Sequence, residues 1–378
     1  MGDKPRVGIF EIDHDEMGYS LIKSFRRMNY DVWAFVSESV YRNLMVSQDL
    51  QDVQINWIVK KEIEGMSDFY KRIVSLSNSN KISTLFLNTV EASFDELAIH
   101  LNAYNGKSIL TIHNVNYWFN FSPFFFTKSY RLNKSKIRLK HKVDAFCVLS
   151  DNVKKYLIEK FHPNKPIHVF PYCVYEKGKY LPDLSSQTLL TICVPGSVDG
   201  SRRDYAFLLD IYEALLNSKQ IIHLILLGRP VGKYGDSIIS RCRSINSNGG
   251  TVTFFEGHVN QLIFEKYMMQ SHFILSPLAK SIRGESYGVS KETGCFFDMA
   301  RYSKPGIVPN WIPIQEYLKT SVLTYETSEQ LKRIIGNIYN QIDMREEYLK
   351  KAEKNSMSYS IEIIAQRTHE FVSCLIKK

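Results

Sequence analysis

Short, unbroken apolar runs alternate with amphipathic stretches along this chain, and they do so in two successive series. In the first, residues 7–12 (VGIFEI), 31–36 (DVWAFV), 53–59, 84–87 (TLFL), 108–112 (SILTI) and 145–149 (AFCVL) read as strands, with helices over 19–28, 69–76 and 94–104. In the second, 189–194 (LLTICV), 222–227, 251–255 and 273–276 read as strands, with helices over 204–216 and 262–269. Phe207, Leu208, Ile211 and Leu215 fall on one face of the 204–216 helix. Such strands, alternating with helices, call for a parallel sheet covered on both faces. A chain of 378 residues holds two domains of ordinary size. The expected class is α/β, with two doubly wound, Rossmann-like domains. The first spans 1–178, and a polar linker covers about 175–186. The second spans 186–340, and C-terminal helices fill 341–378. Ile361, Ile364, Phe371, Val372 and Leu375 are expected to form the buried side of the last helix.

Composition narrows the classes. The apolar fraction of 44% supports real cores, and no run approaches the length of a membrane span. The first residues lead straight into a strand, so no signal peptide is expected. Six cysteines (Cys147, Cys173, Cys193, Cys242, Cys295, Cys374) lie far apart, which fits buried free thiols in a reducing cytoplasm. The net charge of +9 points to anionic partners such as nucleotides, phospholipid head groups or acidic glycans. No nucleic-acid recognition motif stands out, and no nucleic-acid partner is expected.

In parallel sheets, ligands bind beyond the carboxyl ends of the strands. Glu11, Asp13 and His14 follow the first strand, Thr89 and Glu91 follow TLFL, and His113 and Asn114 follow SILTI. Three strands thus deliver polar groups to one rim. Further on, 117–126 (YWFNFSPFFF) is strongly aromatic, and 128–142 (KSYRLNKSKIRLKHK) carries seven Lys or Arg and no acid. This is either a solvated helix face or a surface that meets anionic lipid.

The stretch 276–309 (SPLAKSIRGESYGVSKETGCFFDMARYSKPGIVP) carries the most specific chemistry. A strand end and a proline lead to Glu285, then to the turn Tyr287-Gly288-Val289, which is expected to start a helix. Lys304-Pro305-Gly306 then enters another strand. A helix N-terminus suits a phosphate, a carboxylate beside it can hold sugar hydroxyls, and a second carboxylate further on can reach a ribose. Together these describe a nucleotide-sugar.

This stretch resembles the donor-binding segment of retaining glycosyltransferases of family 4, which have the GT-B fold. Glu285, Tyr287-Gly288-Val289, Glu292 and Lys304-Pro305 match the family's Glu, aromatic-Gly-aliphatic, Glu and Lys-Pro pattern in kind. The resemblance covers nearly the whole chain and is strongest over 145–309. It implies two domains facing across a cleft and a metal-independent transfer of a sugar from a UDP- or GDP-sugar, with no tightly bound cofactor. The acceptor would be a glycan or lipid-linked molecule in surface polysaccharide or glycoconjugate synthesis. Glu285 and His113 would face the reacting sugar. Gly196, Ser197, Arg202 and Arg203 would bind the diphosphate, and Gly228, Arg229 and His258 the nucleotide. Tyr287, Gly288, Val289 and Ser290 would form the donor turn. Glu292 is the expected ribose ligand, with Asp298 as the alternative. Asp13, His14, Glu91 and Asn114 would lie on the acceptor side. A cytoplasmic enzyme, peripheral on the inner membrane face through 117–142, would fit. Two alternatives are a nucleotide-sugar epimerase on the same fold and a non-catalytic GT-B subunit that binds glycan or a partner protein.

Overall fold

The computed structural model describes residues 4–46, 48–51, 54–121, 127–179, 189–280 and 285–377. Val53, residues 122–126 of the aromatic run, residues 180–186 of the expected linker, and Arg283 and Gly284 lie outside them. Two parallel sheets organise the chain. The first contains β1 (Arg6–Glu11), β2 (Asp31–Val36), β3 (Asn56–Val59), β4 (Thr84–Leu87), β5 (Lys107–Thr111), β6 (Ala145–Val148) and β7 (Ile167–Val169). Its spatial order is β3-β2-β1-β4-β5-β6-β7, with every pairing parallel. The second contains β8 (Thr191–Pro195), β9 (His223–Leu227), β10 (Thr251–Thr253), β11 (Phe273–Leu275), β12 (Gly306–Pro309) and β13 (Val322–Tyr325). Its order, β10-β9-β8-β11-β12-β13, repeats the same winding, again all parallel. This is the α/β architecture read from the sequence. β13 was not anticipated: unlike the unbroken apolar runs, VLTY is buried only at its two ends and reads as a mixed segment.

Each sheet starts at an inner strand, winds outward, then reverses past its start. The reversals fall between β1 and β4 and between β8 and β11. The crossovers there leave to opposite faces, so a crevice opens at the strand ends. Burial explains the apolar runs: β4, β6 and β8 are buried along their whole length. Phe10, Phe35, Leu85 and Leu110 belong to one core, and Ile192, Val194, Leu224 and Phe273 to another.

Two compact units result. The first comprises Met1–Val174, Val289–Glu292 and Ile361–Lys378; the second comprises Tyr175–Gly288 and Thr293–Ser360. In the first, the final helix Ile361–Ile376 packs against the helix Asp15–Arg27. Three polar links hold it: Arg27 to Glu362 (3.1 Å), Tyr30 Oη to His369 Nδ1 (2.9 Å) and His168 Nε2 to Thr368 Oγ1 (3.1 Å).

The helix expected from Tyr287 begins later, at Gly294, and runs to Arg301. Gly288 has φ +73°, a left-handed turn that a helix cannot continue through. Lys291 then forms an antiparallel bridge with Asn114 before the helix starts.

Close approach of backbones at the second reversal accounts for a glycine. A Cβ on Gly228 would come within 2.3 Å of the Gly196 carbonyl oxygen. Gly228→Ala is therefore expected to destabilise the second unit by about 3 kcal/mol. Urea unfolding followed by a probe in that unit checks this; an unchanged midpoint would show that the loop yields freely.

Candidate functional site

In the first unit the polar groups gather where the winding reverses. Glu11, the last residue of β1, has no exposed surface. Its Oε1 accepts hydrogen bonds from the N–H groups of Ile12, Asp13 and His14 at 2.7, 2.8 and 2.9 Å. The Thr89 hydroxyl lies beside the carboxylate. Burial outweighs these donors and pushes the Glu11 pKa up to about 7.

His113 follows β5 and is engaged at both nitrogens. Nε2 donates to the Asn88 carbonyl (2.8 Å), which leaves Nδ1 to accept from the Tyr172 hydroxyl (2.5 Å). The ring is therefore the neutral Nε2–H tautomer. Burial, then the neighbouring His14, then Lys291 push its pKa down to about 3. The His14 ring lies 4.7 Å from that of His113 and 5.4 Å from that of Tyr172. His14 Nε2 is 3.8 Å from the exposed Asp13 carboxylate. Asp13, His14 and His113 are thus brought together. Asn114 lies beside them but uses its Oδ1 to cap the helix Val115–Phe119 through Tyr117 N (3.0 Å). Glu91 is exposed, and its charge acts on Tyr70 and Tyr117.

Val289–Glu292 belongs to this unit as well. Val115 N donates to the Ser290 carbonyl (2.8 Å), and Asn114 pairs with Lys291. The Val115–Phe119 helix is held from its other side by two lysines of the helix Lys128–Lys142. Lys136 Nζ donates to Tyr117 O and Lys140 Nζ to Trp118 O, both at 2.9 Å. Their ammonium groups also lie over the Tyr117 and Phe119 rings, at 3.0 and 4.0 Å from the centroids. Burial pushes both amines down to about 8. Arg138 pairs with Asp95 at 2.9 Å.

The second unit repeats the geometry with opposite charge. At the end of β8, Gly196 has φ +97°, and a Cβ there would come within 2.8 Å of Arg203 Nη2. Arg203 reaches back to the Ser197 carbonyl (3.4 Å), while its Nε is buried with no hydrogen-bond partner among the described residues. The Tyr205 hydroxyl donates to the carbonyls of Gly196 and Ser197 at 3.3 and 3.0 Å. An antiparallel bridge from Arg203 to Leu278 ties this loop to the segment after β11. Arg202 points outward, 55% exposed, 3.8 Å from Asp199. Tyr287 is buried near both arginines, which draw its hydroxyl pKa down against a larger upward push from burial; Glu285 pushes it up. Gly196, Ser197, Arg203, Glu285 and Tyr287 therefore share one region, and Gly228 abuts Gly196.

Other expected donor residues lie elsewhere. Arg229 and His258 are exposed, though Val198 N donates to the Arg229 carbonyl (2.9 Å). Gly288 packs near Pro313, with its hypothetical Cβ 3.0 Å from that carbonyl. Val289, Ser290 and Glu292 group with the first unit, Glu292 buried there. Asp298 lies in the Gly294–Arg301 helix, where its charge acts on Cys193 and Cys295.

Glu11 was read as a rim residue without a role of its own, and Tyr172, Asn88 and Lys291 were not singled out as site residues. One signal was available: a glutamate ends an otherwise apolar strand, and buried charges occur only with partners.

No family model and no curated protein matches the sequence. Solved structures match along the full length. A glycosyltransferase from Rickettsia africae ESF-5 aligns with TM-score 0.69 and 13% identity, covering 100% of both chains. Sucrose-phosphate synthase from Thermosynechococcus elongatus aligns with TM-score 0.65 and 12% identity, over 99% of this chain and 100% of that one. A UDP-GlcNAc 2-epimerase from Neisseria meningitidis bound to UDP-GlcNAc aligns with TM-score 0.60 and 14% identity, over 99% and 100%. The chain has the GT-B fold, with two Rossmann-like domains.

The buried carboxylate makes a pH prediction. Glu11 goes from an ordinary 4.5 to about 7 on folding, so the folded unit holds the proton more tightly. Its contribution to stability is full below about 4.5 and is lost as pH rises through about 7. The difference amounts to about 3 kcal/mol. Glu11→Gln should remove this decline, read by urea unfolding of the first unit from pH 4.5 to 8. Parallel pH curves for both proteins would contradict it.

Proposed function

We propose that the chain is a retaining glycosyltransferase that moves a sugar from a UDP- or GDP-sugar to a glycan or lipid-linked acceptor. The observation that carries this is Arg203, folded against Gly196 at the reversal of the second sheet with unused hydrogen-bonding capacity. A guanidinium fork in that position suits diphosphate oxygens. The N-terminus of the Gly294–Arg301 helix can add amide dipoles, and a Cβ on Gly294 would meet nothing within 4 Å. Stabilising the departing diphosphate in this way is electrostatic catalysis and calls for no metal. Glu285 and Tyr287 would hold the sugar; His113, neutral and with both ring nitrogens already bonded to Asn88 and Tyr172, would not serve as a proton carrier. Glu292 is our choice as ribose ligand over Asp298.

Likeness to a 2-epimerase bound to UDP-GlcNAc supports a second reading, nucleotide-sugar epimerisation. A panel of UDP- and GDP-sugars with and without acceptors separates the two. A transferase releases nucleoside diphosphate and builds an acceptor product. An epimerase yields an altered sugar and needs no acceptor, and a non-catalytic subunit does neither. Arg203→Ala should cost about 2–5 kcal/mol in kcat/KM for the donor. Arg202→Ala, which removes an exposed side chain, should cost less. Equal turnover in Arg203→Ala would move the diphosphate site elsewhere.

We also propose that the first unit meets anionic membrane. No described helix is long and apolar enough to cross a membrane, so contact would be peripheral. Lys136 and Lys140 face inward, which leaves Lys128, Arg131, Lys134 and Lys142 on the outer face, near exposed Tyr117, Phe121 and Leu132. Reversing these four to Glu should abolish co-sedimentation with phosphatidylglycerol vesicles at low salt, since attraction at the surface acts over about 8–10 Å. Unchanged co-sedimentation would make this face merely solvated.

A further inference from the structure

The loop after β1 turns three successive N–H groups, those of Ile12, Asp13 and His14, toward one point. Such a concavity of amides is an anion site. Here the chain itself supplies the anion. Glu11 Oε1 lies within 2.7–2.9 Å of all three nitrogens. The surrounding charges disfavour a second anion. Asp15 and Glu16 open the following helix, and Asp13 lies in the loop. Burial above all, and then the charges of Glu11, Glu16 and Asp13, push the Tyr172 hydroxyl pKa upward, which places these three acids around one point. The side chains left facing outward are Asp13, 61% exposed, and His14, 39% exposed, its ring tilted at 43° against that of His113.

We infer that Glu11 is the built-in anion of this nest and the positioning residue for Asp13 and His14, so that the loop meets its substrate through those side chains and takes a neutral hydroxyl, not a phosphate or carboxylate. The identity of that substrate as a sugar acceptor rests on the transferase reading; the filling of the nest does not. The titratable and charged groups around Glu11 are Asp13 and His14 in the loop, Glu16 on the next helix, His113 after β5, Tyr172 after β7 and Lys291. Above about pH 7 the carboxylate is ionised and grips the amides most strongly.

The test uses full-length protein labelled with ¹⁵N-histidine. Titration with inorganic phosphate should leave the His14 amide resonance of the wild type unmoved and shift it saturably in Glu11→Ala, whose nest is empty. A saturable shift in the wild type, or none in folded Glu11→Ala, overturns the inference. Kinetics supply the second arm. Glu11→Ala should raise KM for a neutral acceptor at least about tenfold, a larger change than in kcat. Glu11→Gln, which keeps an oxygen for the amides, should stay within about threefold of wild type. Should Glu11→Ala fail to fold, the pH profile decides. Wild-type acceptor KM should fall as pH rises through about 7, and that of Glu11→Gln should not. Identical profiles overturn the role of Glu11. If no donor releases nucleoside diphosphate, the transferase reading falls, while the phosphate titration still decides how the nest is filled.

Discussion

Reversal of the winding in a parallel sheet is the constraint on which this molecule depends. Within each sheet every pairing is parallel, so each sheet has one end at which the strands stop and their loops begin. Where successive crossovers leave to opposite faces, no helix closes that end. Polar groups placed there are neither in water nor in a core, and each must find a partner. Glu11 Oε1, through three loop amides, and the Asn88 carbonyl, through His113, meet this requirement at the first reversal, whereas Arg203 Nε at the second has no partner among the described residues.

The two units solve it with opposite charge. In the first, a carboxylate fills a nest of amides, and the histidine next to it is fixed as a neutral ring between a carbonyl and a tyrosine hydroxyl. In the second, a glycine with a left-handed φ clears room for a guanidinium whose Nε is unused among the described residues. A negative loop suits hydroxyl recognition, and a positive one suits phosphate.

The basic helix Lys128–Lys142 shows how charge in a sequence divides once folded. Lys136 and Lys140 act locally, on the last carbonyls of the helix Val115–Phe119, where a cation offsets the helix dipole. That helix follows His113 and Asn114 directly, so the two amines steady the histidine's surroundings. The remaining cations are left for solvent or for an anionic surface.

Much was legible in the chain itself. Continuous apolar strands alternating with helices dictate parallel sheets, because only burial on both faces accommodates such runs. The order Glu285, Tyr287-Gly288, Lys304-Pro305 marked the segment after β11, and the paired arginines after Gly196 marked the loop after β8. Tertiary structure alone decided the rest. Adjacent Arg202 and Arg203 are alike in sequence, but only the second is folded against Gly196, through its pairing with Leu278 some seventy-five residues later. Between Gly288, with its left-handed φ, and the helix that starts at Gly294, Lys291 bridges to Asn114, a pairing that no local propensity records. The protonation of His113 and Glu11 depended on burial and on donors brought from other strands, and these long-range terms set a pKa that residue type by itself leaves at its ordinary value.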